Sequence, residues 1–149
     1  MNMIRLFGAV IAIAVISTAY ADAAAPAGRY ATTSTTVYDT KTKLTWQRTV
    51  PTTAYSWADA KTYCASAAVS AILGGTGHLP TVKELATIID FANFPYIDAT
   101  AFPGMPTTPA FWTSNAQRGS TTIALIIDFS SASTRTDGVT DTCYVRCVR

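Results

Sequence analysis

Three cysteines constrain this 149-residue chain more than any other feature: Cys64 stands alone, while Cys143 and Cys147 lie four residues apart near the end. The stretch Cys143-Tyr144-Val145-Arg146-Cys147-Val148-Arg149 alternates. On an extended backbone Cys143, Val145 and Cys147 share one face, and Tyr144, Arg146 and Val148 the other. It reads as a strand lying inside a sheet, not as a loose tail. Residues four apart on a strand are separated by about 13 Å, whereas a disulfide needs Cα atoms within about 7 Å. Cys143 and Cys147 are therefore not expected to bond each other, and Cys64 is left as the partner of one of them. We favour Cys64 with Cys147. A bridge closing so long a loop contributes about 4–5 kcal/mol in chain-entropy terms. Cys143 is then a thiol, buried or paired between chains.

A disulfide implies export to an oxidising compartment, and the first residues agree. Met1 to Arg5 carries one positive charge, Leu6 to Ala19 is a 14-residue apolar run broken by Gly8, Ser17 and Thr18, and Ala19-Tyr20-Ala21 offers small residues to a signal peptidase. The run is shorter than the roughly 20 residues that span a bilayer. We expect residues 1–21 to be a cleaved signal peptide, 22–28 a short Ala-Pro-Gly spacer, and 29–149 one domain. The mature protein is then secreted, periplasmic or on the cell surface, with no membrane segment. Without Arg5, the 11 Lys+Arg become 10 against 9 Asp+Glu. So even a balance speaks against nucleic-acid binding, which needs a strongly basic domain.

Along the chain, Tyr30 to Tyr38 and Leu44 to Arg48 favour strand and flank a polar turn, Asp39 to Lys43, which predicts a hairpin. Ser56 with Asp59 opens a helix whose Trp57, Ala60, Cys64 and Ala68 share a face, and which stops before Gly74-Gly75-Thr76-Gly77. That glycine cluster reads as a flexible loop, since no Lys-Ser/Thr follows as a phosphate-binding loop requires. Thr81 with Glu84 caps a second helix carrying Leu85, Ile88, Ile89 and Ala92, to about Phe91. His78, the one histidine, lacks the partners of a metal site or catalytic pair. Asn93 to Ala110 is a long loop with four prolines among Phe94, Tyr96, Phe102 and Met105, the kind that is functional or pinned by its own aromatics. Phe111 to Ser114 enters a strand and Asn115 to Ser120 turns. Thr122 to Phe129 is apolar on both faces, as in a central strand, and Ser130 to Thr142 forms a hairpin turning at Asp137-Gly138.

Several phrases, in order, resemble one family. They are Val37-Tyr38-Asp39 through Leu44-Thr45-Trp46-Gln47-Arg48, Trp57-Ala58-Asp59-Ala60 through Tyr63-Cys64, Leu79-Pro80-Thr81-Val82-Lys83-Glu84-Leu85, Ile97-Asp98 through Phe102-Pro103, Phe111-Trp112-Thr113-Ser114, and Tyr144-Val145-Arg146-Cys147-Val148-Arg149. Their succession is similar to the Lcl C-terminal domain family, the C-terminal domain of bacterial collagen-like adhesins. The resemblance implies an α+β, C-type-lectin-like fold: two helices packed on small antiparallel sheets, a long irregular loop region, and strands from the two chain ends close together. It also implies a disulfide between the first helix and the last strand, in keeping with Cys64 and Cys147. Characterised relatives are surface adhesins that bind sulfated or otherwise anionic glycans and can trimerise. The chain departs from the pattern at Gly77-His78-Leu79, where the family writes Asp-Trp-Arg-Leu, and at Leu125, where it often has Trp. It carries no Gly-X-Y repeat to enforce a trimer.

The function expected is a secreted or cell-surface binding module, adhesin-like, for anionic glycans. Arginine makes charge-assisted, often bidentate, bonds to sulfate or carboxylate, and an aromatic face stacks on a sugar ring. Candidate ligand-binding residues are Arg118 with Asn115 and Gln117 on the turn after Trp112, Trp112 itself, and Arg135. No metal or cofactor is expected, because turn and strand-end roles account for Asp128, Asp137 and Asp141. The alternative is a protein-recognition or structural subunit of an envelope assembly, using the Pro95 to Pro109 loop. A homo-oligomer fits either. A remote alternative is an oxidase like the formylglycine-generating enzymes, whose closely spaced cysteines Cys143 and Cys147 resemble. Their catalytic domain is much larger, and no hydrolytic triad is present, so the expectation is a protein that is not an enzyme.

Overall fold

The computed structural model describes residues 24–149; the expected signal peptide and its cleavage point lie outside the described residues. The architecture is α+β. Strands β1 (Tyr30–Thr32), β2 (Thr36–Asp39) and β3 (Thr45–Gln47) form one antiparallel sheet in that order. Helices α1 (Trp57–Cys64), α2 (Ala67–Leu73) and α3 (Val82–Ala86) follow, and β4 (Ala110–Ala116), β5 (Ile123–Asp128) and β6 (Ser133–Gly138) form a second antiparallel sheet.

Local chemistry explains where these elements depart from expectation. The strand expected over Tyr30 to Tyr38 is two strands, because the Thr33 hydroxyl accepts from the amides of Thr35 and Thr36 and folds the chain back. The single helix expected up to Gly74 is broken at Ala65-Ser66, where the Ser66 hydroxyl caps a new helix by accepting from Val69 N. Three helices therefore replace two. The break also shifts the phase, so Ala68 is exposed and Val69 and Leu73 are buried in its stead. Thr81 and Glu84 form the expected capping box, yet α3 ends at Ala86, not near Phe91. Asp90 competes with helix continuation: its carboxylate accepts from the amide of Ala92 and the side chain of Asn93. Finally, Asp137-Gly138 is not the last hairpin's turn. It lies in β6 opposite Ala124 and Ile123, and the turn is made by residues 129–132, with Ser130 N donating to Asp128 and Ala132 at φ 51°.

The C-terminal stretch, expected as a strand, is not a regular one: it changes partner every residue or two through isolated bridges to Tyr55, Phe111, Trp46 and His78, and so stitches these parts together. Tyr144 exchanges backbone bonds with Ala110 and Trp112 of β4, and Cys143 with Tyr55. Gln47 N donates to Cys147 O, Thr45 pairs with Arg149, and Val148 pairs with His78. One segment thus joins both sheets and the loops flanking the helices. Its alternation separates two cores. Cys143, Val145 and Cys147 face one that contains Ala60, Cys64, Val69, Leu73, Leu79, Trp112, Ala124 and Ile126. On the other side Val148 joins Val37, Trp46, Leu85, Ile88, Ile97, Phe102, Phe111, Ile127 and Phe129, with Tyr144 packed against them. β5 serves both, through Ala124 and Ile126 on one face and Ile127 on the other, as its two-sided apolarity predicts.

Cys64 and Cys147 form the disulfide, with Cα atoms 5.2 Å apart, across the first of these cores. Cys143 is a buried thiol. Burial, with the Asp137 carboxylate and the nearby Asp141 adding to it, pushes that thiol up to about 12. The glycine cluster is not a slack loop. Gly74, at φ 70°, ends α2, and a Cβ on Gly77 would stand 2.8 Å from Cys64 O and from Leu73 Cδ1. Only glycine lets this strand-like passage lie against α1 and α2. Arg149 fills the space beside Gly75 and donates from Nε to Leu73 O at 2.9 Å, which satisfies a free carbonyl at the end of α2.

Candidate functional site

The long segment between α3 and β4 is irregular because its prolines cannot donate to a ladder, and it is held by its own turns. Asp90, buried, receives Ala92 N, Asn93 Nδ2 and Ala25 N; Asp98 receives the amides of Thr100 and Ala101. Ile97, Ala101 and Phe102 plug into the core, and Tyr96 N donates to Phe129 O. Arg48 donates to the carbonyls of Thr100, Ala101 and Thr33, tying the loop to the first sheet.

What this pinned loop holds outward is aromatic. Phe94 is 79 % exposed and Phe91 66 %, the most exposed large apolar side chains among the described residues. Both meet the Tyr96 ring, at centroid distances of 5.9 and 5.8 Å. Beside them opens a hollow of about 320 Å³, lined by Phe94, Pro95, Met105, Pro106, Thr107, Pro109 and Ser130. Exposed apolar groups gathered in one patch on a fixed loop mark a contact surface, whereas scattered ones need no explanation.

Behind Met105 lies Arg146, fully buried. Its Nη1 donates to the carbonyls of Gln47 and Arg48, its Nη2 approaches Met105 Sδ at 3.3 Å, and its guanidinium lies 4.9 Å from the Phe102 ring centroid. No carboxylate pairs with it among the described residues, and its Nε is without a partner. Burial pulls its pKa down to about 9, still cationic at neutral pH. Alternation placed Arg146 on the face opposite the cysteines; nothing in the sequence pattern showed that this face is covered.

A second, more polar hollow of about 500 Å³ lies at the start of α1, lined by Thr53, Tyr55, Ser56, Asp59, Thr62, Tyr63 and Thr142 among others. Tyr55 and Tyr63 stack there at 4.9 Å, and the Tyr63 hydroxyl accepts from Gln47 Nε2. Sequence reasoning passed over this pair, since Tyr63 lies off the helix's apolar face.

The residues expected to bind ligand are not gathered. Trp112 is fully buried, its indole N–H donating to Tyr55 O at 2.7 Å, so it offers no face to a sugar. It is enclosed because β4 runs between α1 and β5. Asn115 is exposed, but its Oδ1 accepts from Val82 N at 2.8 Å and serves α3. Gln117 and Arg118 are exposed on the turn before β5, where Gln117 N donates to Ile123 O. Arg135 stands opposite Ile126 in β6 and pairs with Asp128 at 2.9 Å, near the other end of β5. The two arginines thus lie at opposite ends of one strand.

Among the described residues no helix is long and apolar enough to cross a membrane, and no group of His, Cys, Asp and Glu stands ready to hold a metal ion. A comparison with curated proteins gives no match. A comparison with family profiles matches residues 35–149 to the Lcl C-terminal domain, which covers most of the chain and takes in β2 through the C-terminal segment. The chain belongs to the Lcl C-terminal domain family.

Proposed function

We propose that this protein is an exported, adhesin-like recognition module that acts by binding and not by catalysis, and that its contact surface is the aromatic loop around Phe91, Phe94 and Tyr96. The family and the disulfide suit an extracellular setting. The observation that carries the reading is the exposure of Phe91 and Phe94 together, beside an apolar hollow, on a loop that buried residues hold in place. The ligand is a protein surface. A sugar needs hydroxyl and carboxylate partners beside its stacking face, and this hollow offers few polar side chains, whereas interface cores are enriched in Phe, Tyr, Met and Arg. A C-type-lectin-like arrangement, with ligand carried by loops on a frame closed by its C-terminal segment, accords with this.

One observation favours the glycan reading instead. The Tyr55–Tyr63 hollow places aromatic rings beside Asp59, Ser56, Thr62 and Thr142, the mixture a neutral sugar takes up. For an anionic glycan the support is Arg118, exposed on its turn. The experiment compares wild type with three variants, Phe91→Ser/Phe94→Ser, Asp59→Ala/Thr62→Ala and Arg118→Ala/Arg135→Ala, against arrays of surface proteins and of sulfated and neutral glycans across a salt series. Salt-insensitive protein binding lost only in the phenylalanine variant supports the proposal. Glycan binding lost in the second variant, or salt-sensitive binding lost in the third, overturns it.

A further inference from the structure

Arg146 carries a full charge in the core and, among the described residues, its partners are neutral: two backbone carbonyls, the rings of Phe102 and Phe111, and the Met105 sulfur 3.3 Å from Nη2. A thioether is a weak acceptor, so this face of the guanidinium is poorly satisfied, and Nε has no acceptor. Met105 is only half-buried, and its far side forms part of the wall of the hollow under Phe94 and Pro106. The chain has three methionines, and the other two are Met1 and Met3, within the expected signal peptide.

We propose that Met105 is a peroxide-oxidation site, and that Arg146 is the built-in partner of the sulfoxide it forms. Hydrogen peroxide enters by the hollow. A sulfur lone pair facing the hollow attacks one peroxide oxygen, the O–O bond breaks, the S–O bond forms, and the second oxygen takes the attacked oxygen's proton and leaves as water. Sulfur gives up the two electrons that peroxide gains. The sulfoxide oxygen is a strong acceptor, and rotation of the flexible side chain about its Cγ–Sδ bond turns it from the hollow to ordinary hydrogen-bond distance from Nη2. Methionine oxidation commonly disrupts an apolar core by installing a polar group there. At this position the polar group meets a cation that lacks an anionic partner, so the oxidised state is accommodated. The buried Cys143, held as a thiol, reacts more slowly, because the thiolate is the nucleophile. The inference is independent of the recognition reading.

The test oxidises the folded, disulfide-bonded mature protein with hydrogen peroxide, locates the added oxygen by peptide mass mapping, and compares thermal unfolding before and after. We expect one oxygen on Met105 and a Tm raised by about 5–10 °C, the size of one hydrogen bond to a charged group. In Arg146→Leu the same oxidation lowers Tm. Met105 staying unoxidised while a methionine peptide in the same tube is fully converted, or a fall in Tm as large in wild type as in Arg146→Leu, overturns the proposal. A second pair of variants gives an answer if Arg146→Leu does not fold. Met105→Gln, which carries an amide oxygen, should melt above Met105→Leu, and the reverse order overturns the proposal.

Discussion

The two sides of the extended C-terminal segment, residues 143–149, solve the same problem differently. On one, Cys143, Val145 and Cys147 face small and aliphatic side chains from α1, α2 and β5, and a covalent bond to Cys64 closes the gap. On the other, Arg146 lies among Phe102, Phe111 and Met105, held by carbonyls and aromatic faces. The first side is finished: its buried thiol, Cys143, is inert, and Gly77 in its glycine passage admits no Cβ. The second has an unspent charge and a wall, Met105, that gives onto a hollow. Closure lies on one face of seven residues and reactivity on the other.

Removing the covalent closure should have the largest effect. Cys64→Ala/Cys147→Ala frees an 83-residue separation in the unfolded chain and is expected to lose about 4 kcal/mol, read by urea unfolding under non-reducing conditions. Loss of less than about 1 kcal/mol would mean that the segment's pairing with β3, Tyr55, His78 and β4 suffices, and that the two sides are not distinct in kind.

The arginine side breaks in two ways that differ in size. Arg146→Ala leaves the Gln47 and Arg48 carbonyls without their donor and opens a cavity, a loss of about 3–5 kcal/mol. Arg146→Met strands the same carbonyls but fills the volume and removes the desolvated charge, so its loss should be smaller, about 1–2 kcal/mol. If both variants lose equally, the charge itself holds the core together.

Half of this contrast was legible in residues 143–149 and half was not. Alternation gives the two faces directly, and strand geometry excludes a bond between Cys143 and Cys147. It cannot say that the Arg146 face is covered, because the covering groups, Phe102, Met105 and Phe111, are remote in sequence and an alternating basic residue ordinarily meets water. The same limit explains Trp112, which reads as a sugar platform until β4 is seen to lie under α1. Turns failed where a short side chain captured the backbone: Thr33, Ser66 and Asp128 each bond an amide two or three residues on and end an element that the apolar period would continue. In the loop, composition promised aromatic contacts. It did not show that Phe102 is anchored inward by the Asp98 turn while Phe91 and Phe94 face out.

Acid separates the paired arginines, Arg29 and Arg135, from the buried Arg146. Burial by itself would raise the Asp39 carboxyl, but the bonds from Arg29 and the Lys41 amide outweigh it and hold it below its usual 3.8. Burial likewise opposes, and Ser130 with Arg135 overcomes, at Asp128; Thr81 and His78 do the same for Glu84, whose usual value is 4.5. A depressed folded pKa stabilises above the unfolded value, and that contribution is lost as pH falls through the folded one. Stability should therefore decline below about pH 4.5, over a range that Asp39→Asn shortens. Arg146→Met should leave the acid limb unchanged, since among the described residues no carboxylate pairs with that guanidinium. A shifted acid limb in Arg146→Met would reveal an anionic partner and undo the contrast.

The smallest effect on stability belongs to the surface proposed to make contact. Phe94 is 79 % exposed, and its ring touches Tyr96 at its edge, so Phe94→Ser removes little burial and should change unfolding free energy by no more than about 0.5 kcal/mol. A residue kept only for packing would cost far more when truncated. The same change deletes an aromatic anchor from the proposed contact face, where a well-seated ring contributes about 2 kcal/mol or more, a loss of some thirtyfold in affinity for the protein ligand. Urea unfolding and titration of one preparation decide it. Unchanged stability with lost binding places function on the open side of the C-terminal segment; unchanged stability with unchanged binding would move the contact surface away from this loop, toward Tyr55 and Tyr63.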